Sequence, residues 1–164
     1  MSKLAVPKHI SLKEFVSEES QFLRDATRGF VDGVIMPIRR QVDADEREHK
    51  IIEPVMKQIL ADFGAQRMVF PEKYGGLDIT SLQEIYWAAE ELARGDSGMA
   101  VAALCTGWPI TPIVYEPYRR EDLLKEFAKI FCGKEAHFAC FAMTEPQGGC
   151  DIENVDVMKG RTIK

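Results

Sequence analysis

The chain has 164 residues, the length of one domain or of one domain plus a piece of another. At 46% hydrophobic and 29% charged it has the composition of a soluble globular protein. Twenty-one Lys and Arg face 26 Asp and Glu, for a net charge of -5. That balance disfavours a nucleic-acid-binding module and a polybasic membrane-surface protein, both of which carry a basic excess. The cysteines Cys105, Cys132, Cys140 and Cys150 form no C-x-x-C pair, and His9, His49 and His137 stand apart. Neither a zinc site nor a disulfide framework has support, so the thiols read as reduced and the protein as intracellular and cytoplasmic.

The N-terminus has no apolar core of the secretory type, and Glu14, Glu18 and Glu19 come too early for a transit peptide. Leu12, Phe15, Phe22, Leu23, Ala26, Phe30, Val34 and Ile38 recur at helical spacing, with Gly29 and Gly33 weakening the helix and Pro37 ending or kinking it. Residues 43–50 form a charged connector. Pro54 suits a helix first turn, and Val55, Ile59, Leu60 and Phe63 carry that helix to Gly64. Pro71 and Gly75-Gly76 mark a loop. The clearest helix covers 81–94, with Ser81 and Glu84 as a capping box and Gly95 as the stop. Leu82, Ile85, Tyr86, Ala89, Leu92 and Ala93 form its apolar face, and Glu90 and Glu91 its polar one.

From 97 to 115 there is no charged residue, close to the length of a membrane span. Gly98, Gly107, Pro109 and Pro112 interrupt it, so it reads as a buried helix over 97–104 followed by a bent segment. Another helix covers 118–131, with Leu123, Leu124, Phe127, Ile130 and Phe131 inward. Beyond Gly133 the pattern changes. Residues 136–143 (AHFACFAM) fit a buried strand, and 152–158 a second. One or two strands do not make a sheet, which points to a chain cut off soon after a new domain opens. His137 reads as a half-buried strand histidine, and Trp87 and Trp108 as core or pocket wall.

Residues 140–151, CFAMTEPQGGCD, are the informative segment. A strand feeds a turn in which Gly148 and Gly149 let the backbone approach a ligand, and successive N–H groups can cradle a phosphate. The plain alternative is a β-turn. Cys150 reads either as a nucleophile, for which no base is identifiable, or as a small loop filler.

This segment resembles the flavin-binding signature of the acyl-CoA dehydrogenases, a strand followed by T/S-E-P and then G-S-D. Two upstream stretches agree in order and spacing. FPEKYGGLDITSLQEIYWAAEELARGDSGMAVA is similar to the family's P-E-x-Y-G-G loop and the helix after it, and LRDATRGFVDGVIMPIRRQVDADE to its opening helix. The resemblance implies a mainly α chain. Residues 1–134 would be the family's N-terminal helical domain, and 135–164 the first strand or two of an incomplete middle β-domain. It implies FAD as cofactor, with Phe141, Met143 and Thr144 near the isoalloxazine ring, and Gly149 and Cys150 near the pyrophosphate and the acyl-CoA thioester. Cys150, also the implied substrate contact, stands where the family has Ser, and a thiol is the weaker hydrogen-bond donor.

The reaction implied is oxidation of an acyl-CoA to the 2,3-enoyl-CoA. A glutamate takes the α-proton while hydride passes to flavin. No acidic residue here matches that glutamate, so the chain alone is expected to be inactive, with no catalytic residue of its own. The helices around 97–113 would line the acyl pocket through Met99, Thr106 and Trp108. Expected partners are the acyl-CoA substrate, an electron-transferring flavoprotein, and further subunits in a homo- or hetero-oligomer, a tetramer foremost; neither nucleic acid nor membrane is expected. The alternative is a non-catalytic subunit or interaction module on the same fold, and a third reading, an independent helical binding domain without flavin, is disfavoured by the 140–151 segment.

Overall fold

The computed structural model of the chain describes residues 17–45 and 47–142. Seven α-helices run through them: α1 (Glu18–Phe30), α2 (Arg39–Ala44), α3 (Ile52–Lys57), α4 (Leu82–Gly95), α5 (Ser97–Gly107), α6 (Thr111–Val114) and α7 (Glu121–Phe131). No strand occurs among the described residues. The mainly helical reading holds for this part of the chain.

α1 starts at Ser17, whose hydroxyl accepts the Ser20 N–H, with Glu18 and Glu19 placed favourably in its first turn. Its inward stripe is Ser20, Leu23, Thr27, Val31 and Ile35, not the stripe that the apolar residues predict. Phe22 is 76% exposed and Ala26 is also on the outside. Two polar residues disguise the true face. Thr27, fully buried, donates its hydroxyl to Leu23 O at 2.7 Å and so enters the core without an unmet polar group.

Pro37 kinks this helix without ending it. The chain widens into a π segment, Val31–Ile35, in which Met36 N–H reaches back to Val31 O. It then tightens into a 3-10 turn, Met36–Ile38, and resumes as α2. Such a bulge absorbs the N–H that proline lacks.

The connector is less solvated than its charge suggests. Asp45 is buried, and its carboxylate accepts the N–H groups of Lys50 (3.1 Å), Ile51 (2.6 Å) and Ile52 (3.0 Å), which fixes the start of α3. Burial alone would raise its pKa. The three N–H donors outweigh that, and the group titrates below the usual aspartate range. Residues 58–62 continue α3 as a second π turn, and Gly64 stops it with φ +92°, a conformation that favours glycine. The 70–76 loop turns on itself so tightly that a Cβ on Gly76 would sit 1.8 Å from Phe70 O.

α4 packs on α1 and on α5. Ser81 makes no side-chain cap, and Glu84 instead accepts from Ser20 Oγ at 3.5 Å. The apolar face is also turned from expectation: Ala88, Glu91, Leu92 and Gly95 face inward, while Leu82 and Tyr86 are exposed. Glu91, read from sequence as polar surface, is only 4% exposed. It accepts from Arg28 Nε at 3.0 Å and Arg94 Nε at 2.8 Å, and Arg94 goes on to Asp32 at 2.7 Å. The Arg28 hydrogen bond leads in holding its pKa below the usual range.

Two clusters form the core. The larger joins Val31, Ile35, Val55, Met56, Ile59 and Leu60 to Leu92, Met99, Ala100 and Ala103. The smaller gathers Val69, Phe70, Ile110, Val114, Leu124, Ala128 and Phe131, with the Phe70 and Phe131 rings stacked at 6.1 Å. Of the α7 residues predicted inward, Leu124 and Phe131 are buried, Leu123 and Phe127 half-buried, and Ile130 exposed.

Candidate functional site

The uncharged stretch resolves into α5, a turn at 108–110 and α6. α5 runs to Gly107, three residues beyond the predicted end. Its start is set by Asp96, whose carboxylate accepts Met99 N–H at 2.8 Å. One side of α5 (Met99, Ala100, Ala103, Thr106) is buried against the core. The other side is apolar too, yet open: Val101 and Trp108 are each 56% exposed, with Leu104 and Cys105 half-buried between them. Only a third of residues 97–114 are buried. An apolar helix face left this open is suited to contact with another apolar surface or a ligand.

At its C-terminal end α5 borders a small cleft of about 70 Å³. Met68, Ile85, Ala88, Leu104 and Trp108 wall it, with Thr111 at the edge. Every wall residue but Thr111 is apolar, so the cleft suits hydrocarbon. Of the three residues expected to line an acyl pocket, Trp108 walls this cleft, while Met99 and Thr106 are not among its lining residues. Both belong to the buried side of α5, and the Thr106 hydroxyl is spent on Ala102 O at 3.0 Å. Ile85 and Leu104 carry the apolar signal that marks them as wall candidates, but not which side of their helices they take.

The second element is the segment that leaves α7. Residues 136–142 form an unladdered stretch among the described residues, where a strand is predicted. One side chain does the work of a neighbouring strand. Gln66, 2% exposed, donates Nε2–H to Glu135 O at 2.8 Å and accepts His137 N–H on Oε1 at 2.9 Å. Both polar ends of the buried amide are thereby met. Nothing in the sequence around Gln66, which stands between Ala65 and Arg67, flags it. His137 is half-buried, as read, with its ring edge-on to Phe131 at 6.1 Å. Phe138 and Phe141 project outward, 60% and 52% exposed.

Of the predicted flavin contacts, Phe141 is therefore described and accessible, and Met143, Thr144, Gly149 and Cys150 lie outside the described residues. Its open ring face fits a planar apolar group, and so does the uncharged α5 surface. The described cysteines, Cys105, Cys132 and Cys140, are free. Burial pushes the Cys132 thiol upward, away from the reactive thiolate form. Among the described residues no three His, Cys, Asp or Glu side chains gather as a metal would need.

Comparison with known proteins gives this arrangement its context. Residues 17–117 match the family described as acyl-CoA dehydrogenase, N-terminal domain. The short-chain specific acyl-CoA dehydrogenase, mitochondrial, of Sus scrofa is 27% identical over 134 residues, covering 82% of this chain and 31% of that protein. The cyclohexane-1-carbonyl-CoA dehydrogenase of Syntrophus aciditrophicus (strain SB) is 24% identical over 145 residues, covering 86% of this chain and 36% of that protein. The chain thus spans about a third of the length of these relatives. With the match running through α1 to α6 in order, the chain belongs to the acyl-CoA dehydrogenase family, whose N-terminal domain it carries.

Proposed function

We propose that these residues are the N-terminal helical part of an FAD-dependent enzyme that oxidises an acyl-CoA to its 2,3-enoyl-CoA. The observation that carries this reading is the bare apolar face of α5, with Val101 and Trp108 open on a helix that has no charge. Such a face excludes water and accepts an acyl chain or a ring, which is what a site for hydride transfer from an unactivated carbon requires. The flavin supplies the redox chemistry when bound. The chain's own share is positioning. Gln66 pins the 135–137 backbone, which fixes the stem that carries Phe141, a residue that would contact the flavin ring when it is bound. Met143, Thr144, Gly149 and Cys150 complete the contacts by their match to the family signature. The α-proton is taken by a glutamate outside these residues.

In this reading the protein works in the cytoplasm as an oligomer, a tetramer foremost, and passes electrons to an electron-transferring flavoprotein. Cys150, standing where the family has serine, favours a second reading, a non-catalytic subunit that completes a heteromeric enzyme.

The test is to purify the complete protein and record its visible spectrum before and after adding acyl-CoA thioesters. A flavin band that bleaches on addition supports the enzyme. Absence of flavin overturns it and leaves the non-catalytic subunit. Trp108→Arg, which sets a charge on the apolar wall, is expected to lower kcat/KM by at least about tenfold while flavin content stays near wild type.

A further inference from the structure

The first turns of α1, the 77–79 turn and Glu84 of α4 line a groove of about 630 Å³. Its floor is apolar: Phe22, 76% exposed, with Leu23, Leu77 and Ile79. Its rim is acidic: Glu18, Glu19, Asp78 and Glu84. Among the described residues no Lys or Arg forms an ion pair with any of these four carboxylates. Arg119 acts on Asp78 through space, which leaves Glu18, Glu19 and Glu84 as the open acidic rim. Exposed hydrophobic floor and acidic rim together select an occupant that is apolar and cationic.

The chain contains one. Residues 1–16, which precede α1 and lie outside the described residues, carry Lys3, Lys8 and Lys13 against the single carboxylate of Glu14. They interleave these with Leu4, Val6, Ile10, Leu12 and Phe15. This is a basic, apolar segment in a chain whose net charge is -5. It is joined through Ser17 directly to the wall of the groove, so its effective concentration there is high, on the order of millimolar. We propose that the groove is the docking site of the chain's own N-terminal segment, apolar residues on Phe22 and Leu77 and lysines on the acidic rim.

Hydroxyl-radical footprinting of the full chain tests it, with Phe22 oxidation compared against Phe138, a phenylalanine of similar exposure that lines a different surface. Docking leaves Phe22 and Leu77 protected relative to Phe138. Lys3→Glu, Lys8→Glu and Lys13→Glu together, or salt raised to about 1 M, should raise Phe22 oxidation at least about threefold and leave Phe138 unchanged. Adding Glu18→Lys and Glu19→Lys to the triple variant should restore protection, which a merely damaged fold would not do. Phe22 oxidised as fast as Phe138 in the native chain overturns the proposal. So does protection that falls on dilution, which would mean that a second copy covers the groove.

Discussion

The Gln66 amide makes a quantitative claim about how the segment after α7 is held. Two neutral hydrogen bonds, to Glu135 O at 2.8 Å and from His137 N–H at 2.9 Å, each contribute about 1 kcal/mol. The side chain is 2% exposed, so its lost methylene adds about 0.8 kcal/mol. Glu135 is exposed and its carbonyl finds water again, whereas His137 is half-buried and its N–H recovers less. Gln66→Ala is therefore expected to cost about 3 kcal/mol in urea denaturation, or about 6–12 °C in Tm for a chain this long. Gln66→Met keeps the volume and removes only the hydrogen bonds, so it should cost about 2 kcal/mol. Gln66→Glu keeps the acceptor for His137 N–H but turns a second oxygen on Glu135 O. Protonation relieves that clash, so the carboxyl pKa rises in the folded state. The sign follows: this variant comes near wild type below the ordinary glutamate pKa and loses stability as pH rises. The local readout is hydrogen exchange at the His137 amide, faster in Gln66→Ala and Gln66→Met and near wild type in Gln66→Glu at low pH. A Gln66→Met protein within about 0.5 kcal/mol of wild type, with His137 exchange unchanged, would refute the clamp.

Other predictions follow from single positions. A Cβ on Gly95 would stand 2.8 Å from Val31 Cγ1 and 3.0 Å from Ile35 Cγ2, inside the contact between α4 and the π segment that follows α1. Gly95→Ala gains up to about 1 kcal/mol of helix propensity and loses about 1–3 to overpacking, so a net loss is expected in thermal melts, partly reversed by adding Val31→Ala. Asp45, Glu91 and Glu121 all titrate below their usual values, Glu121 at about 2 through hydrogen bonds from Lys73, Tyr74 and Arg119. Depressed carboxyl groups give stability that is complete above the unfolded pKa and lost as pH falls through the folded one. Acid unfolding, followed by circular dichroism, should therefore occur below the ordinary carboxylate range, and Asp45→Ala should move its midpoint to higher pH.

Helix existence was readable because it depends on apolar period and on breakers. Gly64 and Gly133 fell where helices end, and the 97–115 stretch bent at its prolines. Helix faces were not readable where polar residues enter the core with their partners. Thr27 satisfies itself on Leu23 O, Glu91 brings Arg28 and Arg94, and Asp45 spends its charge on three N–H groups. Each looks like surface in a one-dimensional pattern, and each shifts the stripe that packs. The same residues explain why exposed Phe22, Tyr86 and Val101 looked like core. Apolar identity says that a residue prefers burial, not that this chain alone supplies the cover.

That distinction separates the two surfaces left open. α5 is uncharged on every side, so no rim restricts what covers it, and its partner is selected by apolar shape alone. The α1 groove has four carboxylates about an apolar floor, so its occupant must match in charge as well. Salt should then separate them: raising ionic strength weakens whatever occupies the acidic groove while leaving contacts on α5 intact or stronger. An association that involves both surfaces would show two phases in a salt titration, with Trp108 fluorescence reporting the salt-insensitive one. If instead Trp108 and Phe22 became exposed together as salt rose, the two faces would be covered by one electrostatically held partner, and α5 could not be an acyl or flavin wall closed by apolar contact.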